Sequence, residues 1–71
     1  MPKLPALTSK KVIAILKRQG FLLDHTTGSH FVFYHPETKR RAVVPHHTKE
    51  LPKGTLLSIA REAGLSRNDL R

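Results

Sequence analysis

The sequence predicts an α+β fold in which two helices cover one face of a three-stranded antiparallel sheet. Three observations support this αβββα prediction. Apolar residues recur at helical spacing over residues 12–16 and again over residues 56–63. Three short runs rich in β-branched and aromatic residues lie between the two helical segments. The links between these runs are too short for crossover connections, so the strands form an antiparallel meander.

The first helix is predicted at about residues 9–19. Thr8 or Ser9 can cap its start, because a hydroxyl oxygen accepts a free backbone N–H of the first turn. Its apolar side chains are Val12, Ile13, Ile15 and Leu16. Gly20 suits the left-handed position that commonly ends a helix. Residues 1–7, which include two prolines, are predicted to form a lead-in.

The strands are predicted at about residues 21–25, 30–35 and 41–45. A turn over residues 26–28 joins the first two strands. Pro36 and Pro45 end the second and third strands, because proline donates no backbone hydrogen bond to a sheet.

Side chains of the second strand alternate between the two faces of the sheet. Phe31 and Phe33 are the larger apolar pair, so we expect them to face the helices. His30 and Tyr34 would then lie on the opposite face, which no helix covers. A register shift of one residue would reverse this assignment.

The second helix is predicted at about residues 53–63, with Gly64 at its end. Ser66 and Asp69 have the spacing of a capping box, with Asp in place of the usual Glu. They predict a short turn of helix at the end of the chain.

Size and charge limit the kind of partner. Residues 1–71 fit a single small domain, whose thin core argues against a deep small-molecule pocket. Thirteen Lys and Arg residues oppose five Asp and Glu residues, giving a net charge of +8 and a pI near 10.7. This excess favours a polyanionic partner, either a nucleic acid or an acidic protein.

Several classes of protein are not favoured. The chain has no cysteine, so disulfides and thiolate metal sites are excluded. No apolar run approaches the length of a membrane span, and residues 1–5 lack the pattern of a signal peptide. We therefore expect a cytoplasmic location.

A metal site is not predicted either. The five acidic residues are scattered, whereas a two-metal nuclease needs several carboxylates at one place. The histidines match no compact zinc signature; they are His25, His30, His35, His46 and His47. A site of three histidines that folding brings together is left open by the sequence.

The remaining possibility is acid–base catalysis by a histidine imidazole beside cationic side chains. This chemistry suits the cleavage of RNA. Each RNA phosphodiester has a neighbouring 2′-hydroxyl nucleophile, which DNA lacks. A histidine can accept or donate the proton that moves during cleavage, without a cofactor. His30 follows Gly28 and Ser29, so it is the main candidate. The alternative is an ordinary surface histidine beside a turn.

Other residues can support RNA binding. Tyr34 can stack on a base, or serve only as a strand former. Arg41 can contact phosphate or lie in a solvated turn. His46 with His47 can also bind phosphate, although that pair fits a solvated loop as well. Lys53 lies where the second helix begins, and the free N–H groups of a helix start attract phosphate. The alternative for Lys53 is a lysine that only covers the helix end.

Taken together, short motifs along the chain resemble those of the HicA toxin family of bacterial type II toxin–antitoxin systems. The matching pieces are Gly20-Phe21, Gly28-Ser29-His30, His35-Pro36, Val43-Val44-Pro45-His46, Leu51-Pro52-Lys53-Gly54-Thr55-Leu56, Ser58-Ile59 and Ala63-Gly64-Leu65. They occur in the order of the family and cover most of the chain.

The resemblance implies a fold similar to double-stranded-RNA-binding domains and the activity of an mRNA interferase, a ribonuclease that cleaves transcripts. It also implies that His30 is catalytic and that a HicB antitoxin covers the active surface. Phe31 departs from the pattern, since many members have a second histidine there. If that second imidazole helps to protonate the leaving 5′-oxygen, this chain would either be less active or use another acid.

Two rival interpretations remain open at the level of sequence. The first is a non-catalytic RNA-binding module of the same fold, and the second is a basic subunit that binds an acidic protein.

Overall fold

A computed structural model describes residues 6–46 and 49–70. It contains the elements α1 (Ser9–Arg18), β1 (Leu22–Thr27), β2 (His30–Tyr34), β3 (Arg41–Pro45), α2 (Lys53–Ala63) and a terminal 3₁₀ turn (Arg67–Leu70). The predicted α+β fold is confirmed. Most of the predicted lead-in, and His47, lie outside the described residues.

The two ends of α1 are set by local hydrogen bonds. At its start, the Thr8 hydroxyl accepts the backbone N–H of Lys11 at 3.3 Å. At its end, Gly20 has a φ of 98°, and the next backbone N–H, of Phe21, returns to the carbonyl of Leu16 at 2.9 Å. The helix therefore stops at Arg18, one residue earlier than predicted.

The strands form one sheet in the order β1-β2-β3, and both neighbouring pairs are antiparallel. The predicted first strand, residues 21–25, was wrong at both ends. Phe21 follows the helix and is buried in the core instead. Thr26 and Thr27, predicted as a turn, extend the strand to pair with β2. The turn needs only residues 28–29, because Gly28 adopts a left-handed φ of 52°.

A bulge interrupts the pairing of β1 with β2. Leu23 lies opposite Phe33, and His25 lies opposite Val32, so Asp24 is the extra residue. A bulge bends the strand and changes the direction of the side chains around it. This bulge places the side chain of Asp24 beside that of His25, the next residue in the chain.

The core lies between the two helices and one face of the sheet. Phe33, 1% exposed, lies at its centre, as the alternation predicted, whereas Phe31 is only half-buried at its margin. The other buried apolar side chains are Leu7, Val12, Ile15, Leu16, Phe21, Ala42, Val44, Leu51, Leu56, Ile59, Ala60, Ala63 and Leu70. No helix formed by the described residues lies on the opposite face of the sheet. Within residues 6–46 and 49–70, no helix is long and apolar enough to cross a bilayer.

Both helices begin at the same end of the sheet. The Ser9 hydroxyl, in the first turn of α1, donates to the carbonyl of Pro45 at the end of β3. Glu50, shortly before α2, forms an isolated β-bridge with Thr8. The positive ends of both helix dipoles therefore lie near the start of β2, which pairs with the end of β3.

The other end of α2 packs against the start of β3. The Glu62 carboxylate accepts the backbone N–H of Val43 at 3.4 Å, so the helix covers the outer edge of β3. The Arg40 guanidinium reaches the carbonyl of Glu62 at 3.5 Å and lies against Gly64. β1 is the opposite edge of the sheet, and all six of its residues are exposed.

Candidate active site on the open sheet face

His30 is the first residue of β2 and lies on the open face, exposed to solvent. Its ring makes no hydrogen bond or ion pair with the residues that the structure describes. The turn before it is held in place, since the Ser29 carbonyl accepts the backbone N–H of His46 at 2.6 Å. Gly28 and Ser29 are themselves exposed, so a large ligand can approach His30 from the open face.

His46 reaches the same end of the sheet but turns toward the helices. Its ring meets Phe31 edge-on, with 5.5 Å between ring centroids. The two rings line a shallow groove of about 320 Å³ together with Ser9, Lys10 and Ile13. Because Phe31 points to the helix side of β2, this groove lies on the opposite side of the sheet from His30.

Tyr34 and Arg41 face each other across β2 and β3 on the open face. The Arg41 guanidinium lies 5.0 Å from the centre of the Tyr34 ring, which is a cation–π contact. Tyr34 lies four positions after His30 along the strand, a distance of about 13 Å. The Arg41 guanidinium lies over one face of the tyrosine ring, so a base can stack on that face only if the guanidinium moves.

The Asp24 carboxylate contacts two side chains on this face, those of His25 and Arg41. Its Oδ2 atom lies 2.7 Å from Nδ1 of His25 and 3.4 Å from a guanidinium nitrogen of Arg41. The hydrogen bond from His25, with that from Arg41 second, lowers the pKa of the Asp24 carboxyl below its usual 3.8. All three side chains are about half exposed.

His25 and His30 share the open face. His25 pairs with Val32, which lies two residues from His30 on the same side of β2. Diagonal partners of this kind are about 7–8 Å apart in an antiparallel pair. Asp24 and His25 were not predicted as site residues from the sequence, because adjacent strand residues normally point to opposite faces. Only the bulge, which no residue pattern marks, places both on one face.

Lys53 is the first residue of α2 and is exposed. Pro52 precedes it and provides no side-chain cap, and the first-turn N–H groups of α2 have no side-chain acceptor among the described residues. The start of α2 lies at the His30 end of the sheet, but in the helix layer. The structure thus groups Gly28, Ser29, His30, His46 and Lys53 at one end of the molecule, with Tyr34 and Arg41 at the other.

Potential metal ligands do not cluster in the part of the chain that the structure describes. Among residues 6–46 and 49–70, no three side chains of the His, Cys, Asp or Glu type are close enough to bind one ion. The assembly of three histidines that the sequence left open is absent from that part of the chain.

The fold and this surface define a class of protein: a small, strongly basic α+β domain with a solvent-exposed histidine on an open sheet. A family model described as the HicA toxin of bacterial toxin–antitoxin systems matches residues 9–65. The chain belongs to the HicA toxin family, as its motifs suggested. It is therefore a toxin-type protein, for which an antitoxin partner is implied. No curated protein matched the chain.

Proposed function

We propose that this protein is a metal-independent endoribonuclease that cleaves mRNA in the cytoplasm, with His30 as an acid–base catalyst. The observation that carries the proposal is the position of His30. Its ring is exposed on an uncovered sheet face, after a tight turn, in a protein of charge +8. Membership of a toxin family supports an activity directed at a cellular polymer.

The chemistry is transesterification within the RNA. His30 removes the proton of a 2′-hydroxyl, whose oxygen attacks the neighbouring phosphorus while the bond to the 5′-oxygen breaks. The products are a 2′,3′-cyclic phosphate and a 5′-hydroxyl. Because the nucleophile belongs to the substrate, the reaction needs no cofactor, and DNA is not cleaved.

Substrate binding follows from the distribution of charge. Lys53 and the uncapped N–H groups of α2 hold a backbone phosphate near the His30 end. Arg41, which stays about half exposed despite its pairing with Asp24, supplies a cation at the far end of the open face. Gly28 and Ser29 shape the approach to His30, and His46 offers an imidazole beside the same turn.

The antitoxin acts by covering this surface. A HicB-type protein with an acidic face is complementary to the basic toxin, and electrostatic attraction makes such an association fast at low salt. RNA and antitoxin therefore compete for the toxin. A ternary complex that retains full cleavage would contradict inhibition by covering.

His30→Ala tests the proposal directly. With EDTA present, the wild-type protein is expected to cleave a mixed-sequence RNA, and the variant to lose this activity while keeping the same circular dichroism spectrum. Thr27→Ala is the matched control, because Thr27 lies opposite His30 on the open face and is also exposed. Undiminished cleavage by His30→Ala would overturn the assignment.

The same samples distinguish the leading alternative, a non-catalytic RNA-binding module. Such a module binds RNA with a steep salt dependence and leaves it intact after long incubation. Intact RNA in the presence of saturating wild-type protein would favour that alternative.

A further inference from the structure

The proposed reaction needs two proton transfers, and one histidine cannot begin the reaction in both protonation states. His30 takes the proton of the 2′-hydroxyl, so the leaving 5′-oxygen needs a separate acid. We propose that His25, held by Asp24, is this acid. The inference rests on the proposed function, since it assigns a further catalytic residue to the same reaction.

The register of the sheet places the two histidines on either side of one phosphodiester. His25 and His30 are diagonal partners on the open face. The Cα atoms of such partners are about 7–8 Å apart. A phosphorus atom between them has the attacking and leaving oxygens on opposite sides, as an in-line displacement requires. A phosphodiester bound between the two side chains would have each oxygen beside one imidazole, where a hydrogen bond of about 2.6–3.2 Å can form.

Asp24 fixes the His25 ring for this role. Its carboxylate accepts the proton on Nδ1 at 2.7 Å, so Nε2 is the nitrogen available to the substrate. A carboxylate in this position also stabilises an imidazolium, the form that donates a proton. Arg41 holds the same carboxylate from across the sheet at 3.4 Å and rests on Tyr34. Asp24 is thus a positioning residue.

The other groups of the open face fit the role less well. The Arg41 guanidinium is already engaged by the Asp24 carboxylate and by the Tyr34 ring. Tyr34 lies beneath the Arg41 guanidinium and at the far end of β2 from His30. His46 is turned toward Phe31 on the other side of the sheet. His30, by contrast, has no carboxylate partner among the described residues.

Bonds and protons balance in the proposed reaction. The O2′–P bond forms and the P–O5′ bond breaks. One proton passes from the 2′-hydroxyl to His30, and one passes from His25 to the 5′-oxygen. His30 ends protonated and His25 neutral, with no oxidant, reductant or further reactant involved.

The test compares two RNA substrates that differ only in the leaving atom. One is a native oligonucleotide, and the other has sulfur in place of the bridging 5′-oxygen at the mapped cleavage position. A thiolate leaves without being protonated, so it bypasses a general acid. His25→Ala is expected to cleave native RNA about 100- to 10,000-fold more slowly than wild type and to recover most of that loss on the sulfur substrate. His30→Ala stays slow on both substrates.

Control variants separate catalysis from folding and positioning. His25→Gln keeps a polar side chain and is expected to show the same recovery, with a thermal unfolding midpoint near that of wild type. Asp24→Asn keeps the size of the side chain but weakens the hold on Nδ1. Its loss on native RNA is expected to be smaller than that of His25→Ala, with the same preference for the sulfur substrate.

Each possible result supports or contradicts the role of His25 as the acid. Native cleavage at the wild-type rate by His25→Ala would overturn the role of His25 and leave the proposed ribonuclease function intact. An equal loss on both substrates would exclude His25 as the acid. Failure of the wild-type protein to cleave either RNA would overturn the proposed function, and this inference with it.

Discussion

The His35 ring donates from Nε2 to the backbone carbonyl of Gln19 across 3.1 Å, and thereby ties the end of β2 to the end of α1. The tautomer follows from the other nitrogen, since Nδ1 accepts the backbone N–H groups of Glu37 and Thr38 at 3.2 and 3.3 Å. The ring also packs edge-on against buried Phe21. His35 is thus a structural histidine, in contrast to His30.

Replacing His35 is expected to weaken the fold. His35→Ala removes three hydrogen bonds and a ring contact, so the free energy of unfolding should fall by about 1–3 kcal/mol. Urea denaturation followed by circular dichroism measures the change. The exposed ring of His30 offers the comparison, because His30→Ala is expected to change stability by less than about 0.5 kcal/mol. Equal losses in the free energy of unfolding would contradict the conclusion that His35, unlike His30, is a structural histidine.

Gly20 is required by its conformation and by its closeness to His35. Its φ of 98° is strained for any other residue, and an added Cβ would lie 2.8 Å from Nε2 of His35. Gly20→Ala should therefore lower the free energy of unfolding by roughly 1–3 kcal/mol.

Gly54→Ala is the matched control for this substitution. Gly54 lies in α2 with ordinary φ, and a Cβ there meets no atom within 4 Å. Alanine favours helix more than glycine does, so stability should rise by up to about 1 kcal/mol. A destabilised Gly54→Ala, or a neutral Gly20→Ala, would show that this description of the two glycines is wrong.

The Asp24 carboxylate should titrate below its usual pKa of 3.8, since His25 and Arg41 stabilise its charged form. Its contribution to stability is then present above pH 3.8 and disappears as the pH falls through the lowered pKa. NMR titration of the Asp24 carboxyl carbon measures the midpoint directly. Removing His25, the larger cause, should raise this pKa more than removing Arg41. A larger rise in the Asp24 pKa on removing Arg41 than on removing His25 would contradict the closer contact of Asp24 with His25.

Lys53 should contribute to RNA affinity through charge alone. In a His30→Ala background, which prevents cleavage, Lys53→Ala should reduce the slope of log affinity against log salt by about 0.7 on single-stranded RNA. Lys17→Ala removes an exposed charge from the last turn of α1, at the opposite end, and should leave the slope unchanged. Fluorescence anisotropy at several salt concentrations compares them. Equal effects of the two lysines would contradict a directed phosphate contact.

Local patterns predicted much of this fold. Helical spacing predicted α2 at residues 53–63, where the structure has it. The pair Ser66 and Asp69 predicted the terminal turn, and the Asp69 carboxylate does accept both the backbone N–H and the hydroxyl of Ser66. Such features depend on residues within a few positions of each other, so the sequence contains them.

The features that the sequence did not predict depend on pairing between distant segments. β1 extends to Thr27 because β2 is available as its partner, although its threonines resemble a turn. The contact of Asp24 with Arg41 spans 17 positions and needs the whole sheet. His30 was found through its motif, but the placement of His25 beside it results from a bulge that is visible only in the folded chain.

The proposed mechanism requires that His30 act on the substrate's own 2′-hydroxyl. The most direct test is an RNA oligonucleotide with a single 2′-deoxy nucleotide on the 5′ side of the mapped cleavage position, incubated with wild-type protein and EDTA. We predict that cleavage there stops, while the all-ribose control gives a 2′,3′-cyclic phosphate end by mass spectrometry. Cleavage of the deoxy-substituted RNA at the same position and rate would contradict the proposed mechanism.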